Sequence, residues 1–467
     1  MPSRSEPEHL VVGAGLSGLY AALLLARAGR RVRLLERAAR PGGLAAAETF
    51  RGVPCDLGSH RLHPAALEQA LFREIHARAP FLTRPRRGVL VLGDRRVPYP
   101  PTALAMVRAL GPRASAAMGL GLITQRRRRI AFSGWERERA APLAEEDVGF
   151  ERFVIERVGR AAYTSFYRPY AQKVWGVDPA ELSQTVARKR ISATSPLALF
   201  RSFAGRAAAY LLHAGEGARP APGERIDRFI YPAGGTSSII AFLEARLSEL
   251  GVRAECGAAF QGTADGPRGG PPVLFAGDIA DLVEGAALEH RGLYLVYLAL
   301  PAERLGPSET YYSPDPRFWF GRASELQNYS PALRRPGETI LCVEIPEGAW
   351  GRGVDFASGE RLRTLLDQLA EAAIVPRRAA PIEVRQRFVP GVYPLYRRGW
   401  LAEWRRTMRA AAAAGAVPFG RQALFLHCNL DHCAAIAADA VTHVAEGRSP
   451  EAWVALAERY LDLRVRD

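Results

Sequence analysis

The chain has 467 residues, 48% of them hydrophobic and 24% charged, so it can bury a large core and is too long for one ordinary domain. Its 44 glycines and 34 prolines are spread along the chain and its mean hydropathy is -0.09, which excludes collagen, a disulfide scaffold and a disordered tail. The formal charge of +15 comes from 63 basic residues, of which only Lys173 and Lys189 are lysines. That skew, together with alanine runs such as Ala410 to Ala414, most economically reflects a GC-rich genome choosing arginine codons. Part of the excess can still serve a phosphorylated or carboxylated substrate, because the guanidinium fork matches those groups. The densest run, Arg126 to Arg129, lacks interleaved aromatics, and nucleic acid is not an expected partner.

The five cysteines (Cys55, Cys256, Cys342, Cys428, Cys433) are an odd set without a C-x-x-C pair, which argues for a reducing compartment and against structural zinc; no metal is expected. The charged start, Met1 to Glu8, runs straight into a strand pattern and reads as no signal peptide, so the expected location is cytoplasmic. No spanning helix is expected. Thr102 to Thr124 comes nearest, but Arg108 and Arg113 interrupt it, leaving at most an amphipathic element for peripheral membrane contact.

His9 to Val12 reads as a short buried strand that opens directly into Gly13-Ala14-Gly15-Leu16-Ser17-Gly18, a complete G-x-G-x-x-G. A helix is expected over Leu19 to Ala28 with Gly29 beyond its end, then a strand, Val32 to Leu35, ending at Glu36. Each part has a task. Gly13 makes the tight turn, Gly15 lets the backbone approach a pyrophosphate, and Gly18 lets helix and strand pack. The helix N-terminus offers free N–H groups and a positive dipole end, and Glu36 can accept from both hydroxyls of an unphosphorylated ribose. This is dinucleotide binding.

Pro41-Gly42-Gly43 follows, and Phe50 to Gly58 reads as a strand ending in Asp56-Leu57-Gly58. With these segments the chain resembles the FAD-binding flavoprotein superfamily of amine oxidases, protoporphyrinogen oxidases, phytoene desaturases and UDP-galactopyranose mutases. Gly58-Ser59-His60-Arg61-Leu62-His63-Pro64 is similar to the flavin-facing G-x-H-x-x-H loop of the mutases and of protoporphyrinogen-oxidase-like bacterial proteins. A neutral imidazole there can tune a flavin.

Asp94 to Pro101 reads as a hairpin tip returning into an extended strand, because such dense prolines forbid a helix. Phe153, Tyr163, Phe166 and Tyr170 recur at helical spacing up to Tyr170-Ala171-Gln172-Lys173-Val174-Trp175-Gly176 and Ala187-Arg188-Lys189-Arg190-Ile191, a pair resembling the substrate side of the same group. Such a stripe is ordinarily core. Lys173, a lysine in an arginine chain, suggests a compact charge near a flavin or substrate oxygen. Tyr231-Pro232-Ala233-Gly234-Gly235 looks like the turn that reopens the cofactor domain, followed by a helix over Ser237 to Leu250, strands at Gly251 to Glu255 and Val273 to Ala276, and a loop over Gly262 to Pro272. Leu293 to Leu300 alternates as a strand, and Thr339 to Ile345 is a buried run. Phe318 to Phe320 and Gln327 to Pro331 correspond to a cavity lining in the resembled group, although core filling suits them equally. Tyr393-Pro394-Leu395-Tyr396 and Gly420-Arg421…Asn429-Leu430-Asp431-His432 resemble the last cofactor segment. Ala423 and Cys428 depart from the usual pattern there, and the following helix would aim its N-terminus at the flavin.

The fold expected is α/β, with a discontinuous three-layer Rossmann-like FAD domain (1–75, 228–290, 415–467) and a mixed sheet-plus-helix substrate domain (76–227, 291–414). The resemblance implies cofactor contacts from Gly13, Gly15, Leu16, Ser17, Gly18, Glu36, Arg37, Gly42, Gly43, Leu44, Gly58, Ser59, His60, Arg61, Gly420, Arg421, Asn429 and Asp431. Catalytic roles fall to His60, Lys173 and Arg421, and substrate contacts to Arg61, His63, Trp175, Tyr329, Tyr393 and Tyr396. The expected activity is an FAD-dependent oxidoreductase that takes a hydride from a small molecule to flavin N5. The alternative is a redox-neutral nucleotide-sugar mutase acting through reduced FAD. A flavoprotein without catalysis is the remaining reading.

Overall fold

The computed structural model describes residues 7–93, 95–99, 105, 148–190, 228–262, 270–348 and 350–463. Asp94, Pro100 and Pro101, the arginine run 126–129, Ile191, residues 263–269 and all of 102–124 but Ala105 lie outside the described residues.

Five parallel strands form one sheet in the order Ala416–Pro418, Val273–Phe275, Glu8–Val12, Arg31–Glu36, Ala254–Cys256. Parallel strands need both faces covered, and these residues divide accordingly. Val11, Leu34, Leu274 and Val417 join a core with the helices Leu16–Arg27, Ser237–Glu249 and Leu430–Ala445, while Leu10, Val12, Leu35 and Phe275 pack on the opposite side. The first helix begins at Leu16, three residues before the expected start. Gly18 permits this, since a Cβ there would lie 1.7 Å from the carbonyl oxygen of Gly13. The helix closes at Ala28, with Gly29 at φ +77° as its position suggests.

A second, seven-stranded sheet runs Glu383–Pro394, His290–Leu300, Thr339–Pro346, Arg322–Glu325, Thr310–Tyr312, Gly88–Leu92, Arg95–Tyr99. All neighbours are antiparallel except Thr310–Tyr312 beside Gly88–Leu92. The alternation read in Leu293 to Leu300 sorts residues between two cores rather than between core and water. Leu293, Leu295, Tyr297 and Ala299 face one cluster, and Tyr294, Val296, Leu298 and Leu300 face another that the helix Gly359–Glu371 covers. The aromatic stripe divides: Phe153 and Tyr163 are core, while Phe166 and Tyr170 are half-buried.

One reading needs correction. Phe50 to Gly58 is not one strand but the second half of a hairpin, Ala47–Phe50 with Val53–Asp56. Its turn, Arg51-Gly52, has φ of +51° and +74°, the pair of positive values that a two-residue hairpin turn requires. Arg228–Pro232 pairs with Phe81–Pro85 in a separate ribbon, and the expected helix follows as Ser237–Glu249, leading back to the parallel sheet.

Candidate functional site

At the carboxyl end of the Glu8–Val12 strand, Gly13 turns with φ +92° and its Cβ position is closed by the backbone of Ala276 and Gly277. Gly15 bridges Gly42, and a Cβ on Gly43, which also has φ +53°, would come 3.2 Å from the Gly15 Cα, so the close approach of the two glycine segments favours glycine at position 43. Gly420, at φ +78°, closes a third side: its Cβ would sit 2.6 Å from the Ser17 Oγ. Three segments that are distant in sequence thus meet around the first turn of the Leu16–Arg27 helix, where unpaired N–H groups favour an anion. Leu16 is buried below this turn. Leu44, at the edge of the second glycine segment, packs against the hairpin core.

Glu36 ends the neighbouring strand, 9% exposed, and its carboxylate accepts from Ala14 N at 2.7 Å and Ala38 N at 2.8 Å. Each oxygen keeps a lone pair for a ligand hydroxyl. Arg37 turns outward to an ion pair with Asp281 at 2.6 Å.

The Gly58 to Arg61 loop is held by partners that sequence reasoning missed. Ser59 N donates to Glu344 at 2.9 Å, and Glu344, 3% exposed, forms a two-point pair with Arg322 at 2.7 and 2.6 Å. The glutamate in the apolar run Thr339–Pro346 was the available signal. His60 is half-buried, with Nδ1 3.3 Å from the Gly58 carbonyl. Burial pulls its pKa down, with Asp56 opposing and Arg322 assisting, so the ring is held neutral. Asp56 accepts from the Tyr231 hydroxyl and from Thr236 N, which gives the Tyr231 to Gly235 turn its purpose of fixing the base of this loop. Arg61 points inward, its guanidinium on Thr310 and Glu309 and over the rings of Phe229, Tyr312 and Tyr329. His63 caps the turn Pro64–Glu68 by accepting from Ala65 N.

Arg421 lies on the short helix Gly420–Ala423 and donates to the carbonyls of Cys428 and Val392, tying two chain segments together. Asn429 caps the helix Leu430–Ala445 and forms a capping box with His432, so N-x-D-H has a local structural role in addition to its resemblance. Buried side-chain atoms without a hydrogen-bond partner gather in this stretch: Arg421 Nε, Gln422 Oε1 and Asp431 Oδ1. Such atoms are costly unless a ligand or water meets them, and together with the glycine cradle they fit a polar dinucleotide.

Lys173 serves as a clamp. Its ammonium donates to the carbonyls of Ser313, Asp315 and Phe320 at 2.9, 2.9 and 2.6 Å, while Gly176 (φ +67°) abuts Gly348 too closely for any Cβ. Burial draws the Lys173 pKa down to about 7 against the pull of Asp315. All three protons being engaged on backbone, the structure places this residue as a brace between the helix Arg168–Trp175 and the seven-stranded sheet. Tyr329 and Tyr396 are core residues: the first hydroxyl lies between Ser59 and Thr310, and the second donates to Phe425 O and accepts from His427 N. Trp175 is buried against the half-buried Tyr393, whose ring also meets His427 edge-on at 5.7 Å. Phe318, Phe320, Gln327 and Asn328 are likewise buried in the core. No cluster of metal-ligating side chains occurs among the described residues. None of the described helices is long and apolar enough to cross a membrane.

Residues 11–75 match the family model of an NAD(P)-binding Rossmann-like domain. The hydroxyneurosporene desaturase of Rhodobacter capsulatus is 42% identical over 76 residues, 16% of this chain and 15% of that protein, so the chain matches well under two thirds of its relative. Among solved structures, reduced UDP-galactopyranose mutase superposes with a TM-score of 0.73 at 19% identity, over 98% of each chain. A protein of Exiguobacterium sp. provisionally named protoporphyrinogen oxidase gives 0.63 at 17% identity, over 96% of this chain and all of the other. Local sequence and whole-chain shape agree: the chain carries a Rossmann-like dinucleotide domain within the fold shared by UDP-galactopyranose mutases, protoporphyrinogen oxidases and amine oxidases.

Proposed function

We propose that the chain is an FAD-dependent oxidoreductase acting on a small molecule bound beside the His60 loop. The observation that carries this reading is the cradle in which Gly15, Gly42, Gly43 and Gly420 converge on the first turn of the Leu16–Arg27 helix, with Glu36 poised at its edge. Gly13 to Gly18 and Ser17 would hold the pyrophosphate, Glu36 the ribose, and Gly420 to Asp431 the remainder. Residues 1–75, 228–290 and 415–467 form the proposed cofactor domain, and 76–227 with 291–414 the substrate domain.

A bound flavin supplies two-electron chemistry at N5. The chain's own contribution is to orient and to exclude water. Glu344 and Arg322 fix Ser59 and His60; the neutral His60 ring can hold one hydrogen bond without placing a charge beside the flavin; Tyr393 and His427 offer a half-buried aromatic wall to substrate. Purified protein is expected to be yellow and to release FAD on denaturation. Anaerobic mixing with amines, porphyrinogens and other reductants should bleach the flavin with one class. A flavin that none of the candidate substrates bleaches, combined with sugar-nucleotide isomerisation that starts only after dithionite reduction, would establish the mutase alternative instead. A colourless protein whose melting temperature ignores FAD would overturn both.

A further inference from the structure

Cys428 and Cys433 are both reduced, 3% and 7% exposed, and their sulfur atoms are 3.6 Å apart. The turn from Cys428 through the Asn429 cap into the helix Leu430–Ala445 brings them together. Phe425, a fully buried aromatic residue, adopts φ +52°, a strained conformation for a bulky side chain, and the segment then enters the helix Leu430–Ala445 with Cys433 in its first turns. Both cysteines are wired to the cradle through their backbone. The Cys428 carbonyl holds Arg421, and the Cys433 carbonyl receives the Ser17 hydroxyl at 3.4 Å. The Cys428 hydrogen bond and then Arg421 favour the Cys433 thiolate, against burial and Asp431.

We propose that Cys428 and Cys433 are a redox-modification site, closed to a disulfide by a small peroxide, and that closure loosens the dinucleotide seat. The second half rests on the FAD reading above. In the chemistry, the Cys433 thiolate attacks one peroxide oxygen, the O–O bond breaks, and hydroxide leaves as water with the thiol's proton, giving a sulfenic acid. The Cys428 sulfur then displaces the sulfenic oxygen, which leaves as a second water with the remaining thiol proton. Two thiols and one hydrogen peroxide become one disulfide and two waters. Closing the gap from 3.6 Å to the ~2.05 Å of a disulfide bond shifts the two residues whose carbonyls hold Arg421 and Ser17, which is how closure would loosen the seat.

Full-length protein in a Cys256→Ser background, which removes the exposed thiol, is treated with hydrogen peroxide and mapped by peptide mass spectrometry, with FAD affinity measured before and after. A Cys428–Cys433 crosslink that dithiothreitol reverses is expected, with FAD binding roughly tenfold weaker in the oxidised form, the scale of one lost hydrogen bond to a charged group. Cys433→Ser should bind FAD equally with and without peroxide. Two persisting thiols, separate sulfinic acids, or a crosslink that leaves FAD affinity unchanged would each overturn the proposal. A chain that bound no FAD would refute the reading of the seat, and peptide mapping would still decide whether the disulfide forms.

Discussion

Glu36 shows how one side chain can serve the fold and the ligand together. Its two oxygens already fasten Ala14 and Ala38, the residues on either side of the expected ribose position, so the carboxylate is immobile before any cofactor arrives. Glu36→Gln places an amide N–H against one of those backbone donors. The loss of one charge-assisted hydrogen bond, ~1.5–3 kcal/mol, should reduce FAD retention at least tenfold. The flavin-to-protein absorbance ratio after gel filtration measures it, and an unchanged ratio would remove Glu36 from the seat. Arg61 was read as a cofactor or substrate contact, yet it is one of the more enclosed arginines, stacked among three rings with Glu309 as counter-ion. Those partners anchor the loop that carries His60.

At the scale of elements, short motifs turn out to be joints. Y-x-x-K-x-W-G sets the end of the helix Arg168–Trp175 against the Gly348 turn and spans to the 313–320 loop through Lys173. Lys173→Met would strand three buried carbonyls, and even ~1 kcal/mol for each lowers stability by several kcal/mol. The urea midpoint should therefore fall sharply while the visible spectrum of any flavin in the folded fraction stays the same. A stable variant with an altered flavin spectrum would return Lys173 to the catalytic role that its rarity suggested. Gly420→Ala tests a second joint. It combines a positive φ with a contact against Ser17, so it should cost ~1–2 kcal/mol in backbone strain alone and expel the cofactor, and adding Ser17→Ala should restore part of the binding.

For the molecule as a whole, arginine is more often brace than beacon. Arg51 pairs with Glu338 and Glu383, and Arg385 and Arg387 pair with Glu48, across separate elements, so many arginines are matched locally among the described residues and the formal +15 is the excess such pairs leave. Acid sensitivity should come from histidine. Burial lowers the His290 pKa to about 4, with Asp278 opposing and Arg421 assisting, and His60 moves in the same direction. Relative to an unfolded histidine near ~6.5, the folded chain binds fewer protons, so this stability is complete above pH ~6.5 and is lost as pH falls towards 4. The thermal midpoint should decline over that window, and less steeply in His290→Phe, which keeps a ring against Phe425 but binds no proton. Equal slopes would show that His290 does not carry the effect.

The amino-acid sequence by itself determined the features whose cause is local: the glycine loop, the strand and helix around it, the acid at Glu36 and the turn glycines, all set by backbone sterics within a few residues. It also marked the motifs that resemble a flavoprotein group. What those motifs touch was decided by tertiary structure alone. Ser59 meets Glu344 across 285 positions and Ser17 meets Cys433 across 416, and no periodicity encodes such pairings. The same holds for the strand His290–Leu300, whose alternation reads as one buried face until a second core is seen to cover the other. Side-chain patterns specify which way a residue turns, whereas only the packed chain specifies what it turns towards.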